Sequence, residues 1–146
     1  MASPRREDES HIALIEFHDA RLDSLSILPG GTIEVDLSHL VVYHTEGPAS
    51  YEVRSHRARL RIEGAHQVSL KGGLASDDYI MDDKVLRSDG LPASLVDLLG
   101  EGEPIVEISF SFFHSARLSI LCHSAKLALE SEGEFLETWE GPLHSE

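Results

Sequence analysis

Four residues, Leu28-Pro29-Gly30-Gly31, constrain this chain most, because an alternating apolar run lies on either side of them. Proline pre-sets φ at the second position of a turn, and glycine accepts the positive φ that follows. Beyond the turn, Ile33, Val35 and Leu37 alternate with Glu34 and Asp36, the period of a half-buried strand. The stretch from Phe17 to Tyr43 therefore reads as a β-hairpin on which later strands pack.

The two-residue period continues downstream. Glu46-Gly47-Pro48 marks a turn. Tyr51 and Val53 open a strand in odd phase and Leu60 and Ile62 continue it in even phase, which predicts a β-bulge near Ser55–Arg57. Arg57, Arg59 and Arg61 fall on the face opposite Leu60 and Ile62. If this strand pairs with Ile33–Leu37, those arginines meet Glu34 and Asp36 across the sheet. Val68 and Leu70 form a short strand closed by Gly72-Gly73. Residues 74 to 90 crowd Asp77, Asp78, Asp82, Asp83 and Asp89 around a few apolar side chains and read as a loop with a short extended piece.

Pro92–Leu99 reads as the one helix, with proline in the first turn, a stripe of Leu95, Leu98 and Leu99, and Gly100 as the stop. Val106, Ile108, Phe110 and Phe112 then alternate with Glu107, Ser109 and Ser111, which predicts all four apolar side chains inward. Leu118, Ile120 and Cys122 carry the alternation on, and Ala125, Leu127 and Leu129 take it up in opposite phase. Glu132-Gly133 turns into Phe135–Trp139. The expected fold is mainly β, an antiparallel sandwich or partly open barrel with one short helix; α/β would need several crossover helices. Residues 11–142 are expected to form a single domain between tails at 1–10 and 143–146.

Composition narrows the function. A single Cys122 excludes an internal disulfide and a zinc site built on cysteines, and fits a reducing compartment. No apolar run approaches the roughly 20 residues of a membrane span, and Met1–Ser10 is polar without a signal region. A cytoplasmic protein without membrane contact is expected. The net charge of −14, from 12 basic and 26 acidic residues, argues against nucleic acid and permits a basic protein partner. Acid is concentrated in Asp77–Asp89, Glu101–Glu107 and Glu130–Glu140, and Asp77, Asp78, Asp82 and Asp83 are the candidate partner-binding residues.

One pattern recurs four times: His, any residue, Ala, Arg or Lys, Leu, at His18–Leu22, His56–Leu60, His114–Leu118 and His123–Leu127. Four histidines converging from neighbouring strands would make a metal site. Similar residue use in strands of one sheet, or a duplicated hairpin, explains the pattern as well, and no His-x-His spacing supports a metal. No metal or cofactor is therefore assigned, with His18, His56, His114 and His123 as the candidates if one binds. His18 and Asp19 face opposite ways on a regular strand, so they cannot pair without a kink; Asp19 is expected to accept backbone N–H bonds instead. Cys122 is in phase with Leu118 and Ile120, as a core residue would be. There is no G-x-S-x-G elbow, phosphate loop or calcium loop, and no catalytic residue is assigned.

F-H-D-A at Phe17–Ala20, followed by an alternating strand, a turn and a second long strand, resembles the opening of small uncharacterised bacterial β-rich families. The closing E-F-L-E-T-W-E-G-P at Glu134–Pro142 is similar to the way such proteins end. Some of these families are grouped with the immunity proteins of polymorphic toxin systems. The resemblance implies a cytoplasmic protein that works by binding, with a toxin domain as partner, and brings no catalytic residues. The expected function is thus a non-enzymatic acidic β protein that binds a basic protein. The alternatives are a metal- or small-ligand-binding barrel with enzymatic activity centred on His18, His56, His114 or His123, and a structural or oligomerisation module.

Overall fold

The computed structural model describes residues 11–73, 78–99, 104–130 and 133–143, and their strands form two antiparallel sheets. The spine is a hairpin of β3 (Thr32–Gly47) and β4 (Ser50–Glu63). At 16 and 14 residues, each strand is long enough to serve two neighbours on its outer side. On β3 these are β2 (Arg21–Leu28) and then β1 (Ile12–Glu16); on β4 they are β10 (Glu134–Glu140) and then β9 (Ser124–Leu129). The second sheet runs β5 (Gln67–Lys71), β8 (Arg117–Leu121), β7 (Ile105–Phe112), β6 (Ile80–Arg87). The larger sheet curls strongly into a half-barrel.

The hairpin around Pro29 is β2–β3, with Leu28 opposite Thr32 and both Gly30 and Gly31 at positive φ. Ile33, Val35 and Leu37 share one buried cluster with Ile108, Phe110 and Phe112 of the facing sheet. There Phe17 meets Phe110 edge-to-face at 5.2 Å, the arrangement that ring quadrupoles favour. The charge ladder is present on the outer face: Glu34 lies opposite Arg61 and Asp36 opposite Arg59. Arg59 Nε donates to Asp36 Oδ1 at 2.9 Å, Ser24 Oγ to Asp36 Oδ2 at 2.8 Å, and Arg61 Nη1 to Glu34 Oε2 at 3.4 Å. The Arg59 bond is the main reason the Asp36 carboxyl is held below its ordinary value.

Four expectations are corrected. The bulge is on β3, not at Ser55–Arg57: Leu37 pairs with Ala58 and Leu40 with His56, so the extra residue lies at Ser38–His39, where His39 takes φ +57. β4 keeps one phase from Ile62 to Arg54, and Val53, opposite Tyr43, is buried on the other face. Val106 points out, 38% exposed, and Ile105 points in, because Val106 is the extra residue between the pairs Leu86–Glu107 and Arg87–Ile105. Residues 80–87 are a full strand whose acids lie along the outer strand of a sheet. Pro92–Leu99 is no α-helix; only Leu95–Leu98 forms a 3₁₀ turn, with Ser94 and Leu99 extended on either side. Ala93 N–H donates to Val85 O and Leu99 bridges Leu127, so this segment is claimed by strands at both ends.

Candidate functional site

The fourfold pattern is first a packing pattern. Ala20, Ala58, Ala116 and Ala125 are buried, as are Leu60, Leu118 and Leu127, while Arg21, Arg59, Arg117 and Lys126 are exposed. The histidines do not converge on one point. His56 is buried and its Nε2 lies 2.9 Å from His44 Nε2, so one of these two nitrogens carries the proton and the other accepts it. His123 is tilted against His66, ring centres 5.4 Å apart. Among the described residues no three His, Cys, Asp or Glu side chains are grouped to hold a metal.

His18 and His114 do act on a common segment. Their pattern extends to six residues, F-H-D-A-R-L at Phe17–Leu22 and F-H-S-A-R-L at Phe113–Leu118. Both copies make a turn whose third residue has positive φ, Asp19 at +71° and Ser115 at +74°. The two turns hold the start of β6 from opposite sides. On one side Asp19 N–H donates to Ile80 O, Ile80 N–H to Ala20 O, and His18 Nδ1–H to Met81 O at 2.9 Å. On the other, Phe113 N–H donates to Tyr79 O at 3.0 Å, and His114 reaches Asp78 through its backbone N–H and through Nδ1, the latter at 3.1 Å.

The kink at Asp19 brings its carboxylate to 3.5 Å from His18 Nε2, a contact that a regular strand forbids. Asp19 enters the backbone network as a donor through its own N–H. Of the acidic candidates, Asp78 is turned inward, 2% exposed, and its Oδ1 accepts from the N–H of both Tyr79 and His114. Asp82 is exposed and caps Asp83 N–H. Asp83 is half-buried opposite Phe110, and burial, then the charge of Asp82, pushes its carboxyl up against the opposing pull of His18. Asp77 lies outside the described residues.

The two copies differ in their phenylalanine. Phe17 is in the core, whereas Phe113 is 53% exposed, stacked on Tyr79 with ring centres 5.0 Å apart and flanked edge-on by His114. The five-residue pattern begins at the histidine and so leaves this difference out; its signal in the sequence is the break at Phe112-Phe113, where two aromatics in a row cannot share a face. Catalytic parts are sparse. His114 has a buried carboxylate at Nδ1, as a general base would, but among the described residues no hydroxyl or thiol is bonded to it. Cys122 is buried with its thiol pushed up to about 11 by that burial, and its Sγ donates to Ile105 O.

β10 is the second unusual surface. It pairs with β4 on one side, has no strand on the other among the described residues, and all seven of its residues are exposed. Phe135, Leu136 and Trp139, at 55%, 49% and 36% exposure, are interspersed with Glu134, Glu137 and Glu140. A bulge at Leu136 breaks its register with β4. No helix among the described residues is long and apolar enough to cross a membrane. The chain matches no family model, no curated protein and no solved structure.

Proposed function

We propose that the chain is a non-enzymatic binding protein that takes a basic protein partner at the start of β6. The observation that carries this reading is Phe113, an exposed ring on a rigid mount. Tyr79 stacks beneath it, and Asp78 ties down the backbone at Tyr79 and His114 together with the His114 ring. An exposed side chain that is already ordered loses little freedom on binding, which is what makes aromatic anchors effective. Asp19, exposed on the turn that holds the start of β6, Asp82, exposed on β6 itself, and the net charge of −14 set the polarity of the partner. An arginine or lysine laid over Phe113 would gain about 0.5–1 kcal/mol at an exposed site, and more once desolvated. The acidic field adds steering that weakens with salt. A toxin domain that attacks nucleic acid presents such a basic surface, and inhibition of one is the role that fits the resemblance noted in the sequence.

The test is capture of a partner from the native cell, or of a toxin encoded beside this chain, at low and high salt with wild type and Phe113→Ser. Loss of binding in Phe113→Ser and at high salt is expected. A partner held equally by both proteins at both salt levels would refute the site. A second reading, enzymatic, rests on the His114–Asp78 pair. It requires an activity lost in His114→Gln while partner capture is unchanged.

A further inference from the structure

We propose that β10 is a strand-addition site, which receives an extended basic segment of another protein along its free edge. Natural edge strands are kept short, charged or covered, because their unpaired N–H and C=O groups accept any passing strand. β10 is seven residues long and carries three large apolar side chains in solvent. Those side chains lie on both faces: Trp139 is opposite Tyr51 on the outer side of the sheet and Phe135 opposite Arg54 on the inner side. An added strand would therefore cover apolar surface on both faces while its backbone completes the ladder.

The glutamates decide the occupant. A second copy of β10 laid antiparallel would bring six carboxylates together along one seam, and like charges across a strand pair oppose pairing. Glu134, Glu137 and Trp139 stand opposite Ser55, Val53 and Tyr51 on the outer side and Phe135 opposite Arg54 on the inner side, so a segment alternating Lys or Arg with Val or Ile meets those two glutamates and the Trp139 ring with its cations and Phe135 with its apolar side chains. The inference stands apart from the start of β6 and does not depend on it.

The chain supplies its own probe, since Trp139 is its single tryptophan. The experiment titrates the synthetic peptide Lys-Val-Lys-Ile-Lys-Val-Lys, and its counterpart with Glu for Lys, into the full chain while following tryptophan emission. A saturable blue shift is expected with the Lys peptide alone, about tenfold or more weaker in 500 mM than in 50 mM salt, as charge-assisted association demands. Alternate amides of residues 134–140 should gain protection from hydrogen exchange on binding. Phe135→Ser with Leu136→Ser should abolish the shift; both side chains are exposed, so folding is retained and is checked by the unfolding midpoint. Replacing all three glutamates by lysine should transfer the shift to the Glu peptide. Phe113→Ser should leave it intact, which separates this site from the start of β6. An absent shift, an equal shift with both peptides, or a concentration-dependent dimer with residues 134–140 protected would each overturn the proposal.

Discussion

Gly133 lacks a side chain because the imidazole of His56 fills the space one would need. A Cβ built there would lie 2.6 Å from His56 Nε2, and the residue already has φ +86. Gly30 shares the conformation, φ +87, with open space around it. Gly30→Ala should therefore cost only the left-handed backbone, about 1–2 kcal/mol. Gly133→Ala adds overpacking of roughly 1–3 kcal/mol more, since the buried ring has nowhere to go. Urea unfolding of the two variants measures the difference, and equal losses would mean that the ring yields. Asp83 offers a test by pH. Burial raises its folded carboxyl above the unfolded value, so the native chain holds that proton more tightly, and stability is lost as pH rises past about 4. Asp83→Asn should raise the melting temperature at pH 7 and give no gain at pH 3. A gain that persists at pH 3 would place its cause elsewhere.

At the scale of strands, the register slip in β7 makes a sharp prediction. Ile105→Ala should cost about 2–5 kcal/mol as a buried large-to-small change, whereas Val106→Ala, on the exposed side, should stay within about 1 kcal/mol. The reverse order would restore strict alternation. Across β3 and β4, a double-mutant cycle on Asp36 and Arg59 should return a coupling of roughly 0.2–1 kcal/mol that shrinks with salt. The same coupling should fade as pH falls below the ordinary aspartate range, because the depressed Asp36 carboxyl contributes only while ionised. The ladder itself was legible because period-two patterning fixes which residues share a face, so Glu34, Asp36, Arg59 and Arg61 could be placed before their strands were joined. The bulges were not legible. A phase change between Val53 and Leu60 shows that something breaks alternation, yet burial of Val53 on the second face leaves the same trace as an inserted residue. Pro92–Leu99 misled for a related reason: its leucines satisfy a helical stripe, but Leu98 and Leu99 are core residues of a segment bonded at both ends to strands. In the candidate site, the histidines could be picked out one by one. Their separation into a part-buried pair, a surface pair and a two-sided grip on β6 depends on contacts between residues 12 to 63 positions apart, which no local pattern records.

The whole molecule hangs on β3 and β4, and the order in which their neighbours arrive matters. β1 and β2 precede the hairpin in sequence, so β3 can be flanked as soon as it forms. β4 ends at Glu63, and its neighbours are drawn from Ser124–Leu129 and Glu134–Glu140. At roughly 5–20 residues per second, a growing chain leaves the far side of β4 bare for about 4–15 s. A long naked strand in a crowded compartment recruits other nascent chains unless charge prevents it. Arg57, Arg59 and Arg61 stand along that strand, exposed. Changing Arg59 and Arg61 to Thr should cost the finished protein only exposed ion pairs, those of Arg59 with Asp36 and Glu130 and of Arg61 with Glu34 and Glu63, each of them weak in water. Light scattering during refolding should rise far more than that loss implies, and refolding as clean as wild type would deny the arginines this duty. Such a rise would make the guanidinium groups that lie opposite Glu34 and Asp36 in the mature sheet chaperones of their own strand, holding its edge open until the strands that cover it have been made.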